Sequence, residues 1–170
     1  ILYTTPDFLP RHTIGYQNLD VLIWDGGPTT AMIPEQSAAL ESWIQMGGTL
    51  VLAAGEFWPQ LNDSPFRLYS PIALTGSRTL ETDTRLTNPS ESEQPVLRSG
   101  IVIATGKLLD DPHLHIWLKA EDDPFLIERP WGAGRIFFVA ASIAKPMFVD
   151  PVHQTIFKDY LASSYLPLSA

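Results

Sequence analysis

Residues 47–58, GGTLVLAAGEFW, decide how this chain reads. An apolar run, 49–54, stops at Gly55 and is followed at once by Glu56 and, two residues on, Trp58. Several α/β enzymes stand their nucleophile on such a strand-to-turn junction. Upstream, DVLIWD at 20–25 is a second short apolar run bounded by acids, and it reads as a strand buried on both faces. Between the two, Pro34 suits a first helical position and Glu35 the positive end of the helix dipole, while Leu40, Trp43, Ile44 and Gly47 recur at helical spacing. Ile33, just before, has no side chain that can cap. Gly47 and Gly48 tolerate the left-handed backbone that ends a helix, and the next strand begins there. Strand, helix, strand implies a βαβ unit with parallel strands, which sets the fold class as α/β.

Downstream the pattern changes. Residues 61–100 mix turn formers with isolated apolar residues and read as loops and short strands. Extended to 125, they form a loop- and strand-rich insertion in a single domain spanning 1–170. HLHIWLKA, 113–120, alternates strictly, which turns Leu114, Ile116 and Leu118 inward and His113, His115 and Trp117 outward. PFLIERPWGAGRIFFVAAS, 124–142, reads as two strands joined by a tight glycine turn, a hairpin and not a crossover. Asp150 then caps a closing helix with Pro151 at its first position and an apolar stripe of Val152, Ile156, Phe157, Tyr160 and Leu161.

Composition narrows the function. With 45% hydrophobic and 18% charged residues in 170, the chain is that of a globular domain. A formal charge of −8 with no Lys/Arg run argues against nucleic acid. The absence of cysteine removes thiol nucleophiles, disulfides and thiolate metal sites together. No apolar run approaches the ~20 residues that cross a bilayer. The chain opens on Ile1 without an initiator methionine, so the expectation is a piece of a longer protein.

Several candidate sites can be weighed. Gly132-Ala133-Gly134 lacks the third glycine of a dinucleotide fingerprint, Phe137 standing there, and a strand follows where a helix is required. His113 and His115 beside Asp110 and Asp111 offer imidazole and carboxylate donors for a metal, against the simpler reading of a solvent-facing strand; the expectation is no metal and no cofactor. Trp58, Trp117 and Trp131 offer stacking area for a sugar or peptide, against ordinary core packing. The carboxyl ends of parallel strands are where open α/β folds place ligands, and Asp25 and Glu56 emerge there together. Asp25, Gly55, Glu56 and Trp58 therefore form the candidate binding crevice. Two carboxylates at one crevice suit acid–base work or the binding of hydroxyls. The plainer alternative has Asp25 tightening the turn before Gly26 and Gly27, and Glu56 forming a local ion pair.

The segment LPRHTIGYQNLDVLIWDGGPTTAMIPEQSAALESWIQMGGTLVLAAGE, 9–56, with its Trp-x-x-x-Gly-Gly-x-Leu-Val pattern, resembles the class I glutamine amidotransferase-like superfamily. Within it the likeness is to a bacterial, membrane-protein-associated branch lacking the catalytic cysteine. Residues 120–161 add a second match, and together the two cover somewhat over half the chain. The resemblance implies a flavodoxin-like three-layer sandwich with a mostly parallel central sheet plus an antiparallel β region. In active members a cysteine stands just beyond the equivalent strand, where this chain has Ala54-Gly55-Glu56. No side chain at that turn replaces a thiolate, so release of ammonia from glutamine is excluded.

The sequence thus leads to one expectation and one alternative. The expectation is a non-catalytic, amidotransferase-like pseudoenzyme domain that senses a small ligand or binds a protein partner within a bacterial envelope protein, with no nucleic acid partner. The alternative is a hydrolase acting on sugar or small amide substrates through Asp25 and Glu56, or an aromatic-lined carbohydrate-binding module.

Overall fold

Strand, helix and strand follow one another where the spacing predicts them: β1 (Val21–Asp25), α1 (Pro34–Gln45) and β2 (Thr49–Ala53). They belong to a computed structural model that describes residues 6–27, 31–88 and 95–162. The predicted turn at 26–30 is described only at Gly26 and Gly27; Pro28 to Thr30 lie outside the described residues. β1 and β2 pair in parallel, Val21 beside Thr49 through Asp25 beside Ala53.

The ends of α1 show how the motif works. Pro34 occupies the first turn, and the Gln36 side chain, not Ile33, caps it: Gln36 Oε1 accepts the Ile33 backbone N–H at 3.1 Å. Its amide nitrogen donates to the carbonyls of Asp7 and Leu9, at 3.0 and 2.8 Å, tying the N-terminal segment to the helix. At the other end the Gly47 N–H reaches the Ile44 carbonyl and the Gly48 N–H reaches the Trp43 carbonyl, both at 3.0 Å, a Schellman pairing that satisfies two of the last carbonyls. Gly47 takes φ +119°. Gly48 is small for a different reason, since a Cβ there would come within 2.3 Å of the Trp43 ring. Trp43 uses that space to stack on Tyr16 and to donate its indole N–H to the Leu19 carbonyl at 2.9 Å.

The chain continues through α2 (Trp58–Asp63), β3 (Ile72–Thr79), β4 (Thr84–Thr87), β5 (Val96–Leu97), β6 (Val102–Leu108), β7 (His115–Ala120), β8 (Asp123–Trp131), β9 (Gly134–Val139) and α3 (Pro151–Ala162). Seven strands form one sheet in the order β1-β2-β9-β8-β7-β4-β5, and β3 pairs with β6 separately. β2 and β9 lie in the middle, and Leu50 to Ala53 and Ile136 to Val139 are fully buried, as continuous apolar runs require.

The architecture is mixed α/β, which corrects the mostly parallel, flavodoxin-like sheet. Only β1–β2 and β2–β9 run parallel; β9–β8, β8–β7, β7–β4 and β4–β5 are antiparallel. The cause is the predicted hairpin. Gly132, at φ +65°, turns β8 straight back into β9, so everything added beyond β9 arrives antiparallel. Register shifts between Ile116, Leu118 and Lys119 then curl β7 across β8.

Three further expectations differ from the structure. β1 is an edge strand and not doubly buried: Trp24 is covered but Ile23 is 49% exposed. β3 is eight residues long where loops and short strands were expected, because its Thr-Gly-Ser-Arg segment reads as a turn. In α3, Asp150 caps as predicted, accepting the Val152 N–H at 2.9 Å, and Phe157 packs against Phe125 and Phe148. Phe157 and Leu161 are buried while Val152 and Ile156 face outward; the Tyr160 side chain lies outside those described. Among the described residues, no helix is long and apolar enough to cross a membrane.

Candidate functional site

Three parallel strands end at one edge, and that edge gathers Asp25, Gly55, Glu56 and the segment after β9. Pairing between β2 and β9 runs past both strands, with the Ala54 N–H on the Val139 carbonyl and the Gly55 N–H on the Ala140 carbonyl, each at 3.0 Å. Gly55 makes this approach possible. It sits at φ +55°, and a Cβ would lie 2.8 Å from the Ser142 nitrogen and 3.0 Å from the Val102 carbonyl oxygen.

The chain after β9 then folds around Asp25. Oδ2 accepts three hydrogen bonds: from Ser142 Oγ at 3.1 Å, from the Ile143 N–H at 2.9 Å and from the Ala144 N–H at 2.7 Å. Oδ1 is buried and, among the described residues, has no hydrogen-bond partner. Burial pushes the Asp25 carboxyl above its ordinary value; the three donors oppose that shift and the nearby Glu56 adds to it. Glu56, one residue beyond Gly55, lies nearer solvent and pairs with Lys145 Nζ at 2.7 Å. Burial acts on it in the raising direction, but the Lys145 hydrogen bond and charge, with its own backbone N–H, leave it below the ordinary value. The Lys145 ammonium is raised by the hydrogen bond and charge of Glu56 and, more weakly, by Asp25. Two carboxyl groups that feel each other are thus biased in opposite directions.

Of the four predicted crevice residues, Asp25, Gly55 and Glu56 share this edge. Trp58 instead opens α2, half-buried against the core. Ser142, Ile143, Ala144 and Lys145 were not anticipated. Their signal is the small-residue run Ala140-Ala141-Ser142 ending an apolar strand, but recognising it requires knowing that β9 lies parallel to β2.

The other candidates separate. Asp111 is engaged by Arg129 at 3.1 Å and by the His113 N–H at 3.0 Å, and the His115 ring lies edge-on to Trp117 at 4.2 Å. Among the described residues, no three His, Asp or Glu side chains gather as a metal would need. The tryptophans do not form one surface either. Trp117 donates its indole N–H to Glu128 Oε2 at 2.7 Å, whereas Trp131 packs edge-on to Tyr69 with the Arg129 guanidinium 4.8 Å from its ring. Glu128 and Arg129 are successive strand residues and face opposite ways. A surface depression of about 520 Å³ is bordered by Ala73, Lys107, Leu108, Leu109 and Asp110 and not by the paired carboxyls. Size alone does not mark the chemistry here; the convergent, oppositely biased acids carry more weight.

No family model and no curated protein matches the chain. Solved structures share its fold. The cytoplasmic protein STM3548 of Salmonella typhimurium matches over 92% of this chain and 76% of its own, with a TM-score of 0.68 and 12% identity. STM1381 from Salmonella typhimurium LT2 matches over 91% and 72%, with a TM-score of 0.65 and 14% identity. The β-galactosidase of Rahnella sp. R3 matches over 85% of this chain but only 22% of its own length, with a TM-score of 0.55 and 14% identity.

The last match corrects the expectation of an inactive, pseudoenzyme-type amidotransferase domain. The same architecture occurs within an enzyme, a β-galactosidase, so neither the fold nor the missing cysteine argues against carboxylate chemistry. What the missing cysteine does exclude is the thiolate attack on glutamine.

Proposed function

We propose that this chain handles carbohydrate at the carboxyl edge of β1, β2 and β9, where Asp25 and Glu56 divide acid and base roles in cleaving a glycosidic bond. The observation that carries this reading is the convergence of Asp25 and Glu56 on the Ser142–Lys145 segment at one strand edge, where the two carboxyl groups are biased in opposite directions. Glycoside hydrolysis uses such a pair, one carboxyl kept protonated and the other ionised. In this scheme Asp25 gives its proton to the leaving-group oxygen as the C–O bond breaks. Glu56 takes a proton from the water that adds to the anomeric carbon. The ledger is one water consumed and one hydroxyl on each product, with the proton on Glu56 returning to Asp25 through solvent. Lys145 keeps Glu56 ionised between turnovers. The Asp25 end of β1 leads into the Gly26–Gly27 turn, and a Cβ on Gly26 would lie 2.7 Å from the Phe57 ring, so the turn rests on that ring. The fold shared with part of a β-galactosidase supports the carbohydrate reading at the level of architecture.

The test is turnover of p-nitrophenyl β-galactoside, β-glucoside and β-mannoside by the parent chain, Asp25→Asn and Glu56→Gln. The reading expects release of p-nitrophenol by the parent on at least one substrate and its loss in both folded variants. Equal release by all three proteins, or none by the parent, contradicts it.

A further inference from the structure

We propose a second carbohydrate site at the opposite, amino edge of β2 and β9, where Glu128, fixed by the Trp117 indole, and Arg135 hold one neutral, polyhydroxylated ring. At ~3.3 Å per residue, strands of this length separate the two edges by about 15–20 Å, so one sugar ring cannot occupy both. The inference does not depend on the reaction proposed above.

A pocket of about 240 Å³ opens at this edge, lined by Gly47, Glu128, Pro130, Ala133, Gly134 and Arg135. The strand register places its polar members on one face. His115 lies opposite Glu128, Glu128 opposite Phe137, and Pro130 opposite Arg135. Both charged groups are held by aromatic rings. Glu128 Oε2 accepts the Trp117 indole N–H at 2.7 Å, and Trp117 is itself braced edge-on by His115. The Arg135 guanidinium carbon stands 5.4 Å from the centre of the Phe137 ring. Glycine shapes the wall: a Cβ at Gly47 would meet nothing within 4 Å, so the space above that backbone is open.

The ligand class follows from charge and size. A carboxylate and a guanidinium in one pocket carry no net charge, so the pocket offers no electrostatic selection for an anion or a cation. Hydroxyl groups suit both partners, donating to the carboxylate and accepting from the guanidinium fork, and such charge-assisted bonds are the stronger kind. A ring also presents C–H faces to Pro130. The volume is below the range of about 300–1,000 Å³ that accommodates drug-sized ligands, which favours a single ring over an extended chain.

The experiment follows the indole N–H signals by two-dimensional NMR, with Trp117→Phe assigning the Trp117 peak. Methyl β-galactopyranoside, methyl β-glucopyranoside and methyl α-mannopyranoside are titrated as neutral probes, with glucuronate and glucosamine as charged controls. The expected result is a saturable shift of the Trp117 peak with at least one neutral glycoside, weakened at least tenfold by Glu128→Gln and by Arg135→Lys in proteins of unchanged melting temperature. The same titration of Glu56→Gln matches the parent, which separates this site from the carboxyl edge. Silence with all three neutral probes, a stronger response to either charged control, or loss of the response in Glu56→Gln overturns the proposal.

Discussion

Parallel strands all finish at the same edge, whereas antiparallel strands finish alternately, and the two halves of this sheet show the consequence. In the parallel half, β1, β2 and β9 deliver Asp25, Glu56 and the Ser142–Lys145 segment to one place, although Asp25 and Ser142 stand 117 residues apart in the sequence. In the antiparallel half, the polar groups of β7 and β8 are dispersed into separate contacts: Asp123 with Arg78 of the separate β3–β6 pair, Arg129 with Asp111, and Trp117 with Glu128. Convergence of charge is therefore a property of strand direction more than of local sequence. It also needs close packing, because three strand ends meet only if the backbone between them carries no side chain.

The sharpest way to break this contrast is at the glycines. Gly55→Ala and Gly48→Ala each drive a methyl group into fixed neighbours, the first against backbone with a left-handed φ and the second against the Trp43 ring. Each is expected to cost about 3 kcal/mol in urea unfolding, combining overpacking with backbone strain at Gly55. Gly76→Ala, in the β3–β6 pair, meets only Thr105 Oγ1 at 3.6 Å and is expected to change stability by less than about 1 kcal/mol. Equal losses at Gly55 and Gly76 would remove the distinction.

Carboxylates offer the next comparison. Asp25→Ala leaves three donors without their acceptor and is expected to cost about 2–3 kcal/mol. Asp123→Ala breaks a half-exposed ion pair with Arg78 and is expected to cost less than about 1 kcal/mol.

A subtler difference lies in pH dependence. Because the Asp25 carboxyl is raised from its ordinary 3.8, the folded chain holds that proton more tightly than the unfolded chain. Its contribution to stability falls as pH rises from there through the folded value, and the cost is fully present above it. Glu56, lowered from 4.5, acts the other way: its contribution is present above that value and is lost as pH falls through the folded one. Melting curves across this acidic window should therefore decline less with rising pH in Asp25→Asn than in the parent. Glu56→Gln, which removes only a solvent-facing ion pair, should barely move the melting temperature at neutral pH.

The same division explains what the sequence reveals. The βαβ unit was legible because helix punctuation is local: Pro34, Leu40, Trp43, Ile44 and the two glycines each act within a turn or two. The β8–β9 hairpin was legible for the same reason, through Gly132. What the sequence did not reveal is that β9 pairs in parallel with β2 on its other side, because neither strand's residues encode a partner so far along the chain. With that pairing unseen, Asp25 and Glu56 could be placed at one edge, but Ser142 and Lys145 could not. The eight-residue β3 escaped because its glycine, Gly76, falls at a register shift against β6 and looks like a turn. Trp58, two residues beyond Glu56, was expected to be exposed past a strand end, whereas it begins a helix and is partly buried against the core.

The most direct measurement of the central claim is p-nitrophenyl glycoside turnover by the parent, Asp25→Asn and Glu56→Gln, each confirmed as folded by its melting curve. The account predicts parent activity on at least one of the three sugars and a fall of about a hundredfold or more in each variant, the scale of a lost general acid or base. Activity that survives in both variants, or a parent that turns over none of the substrates, would contradict it.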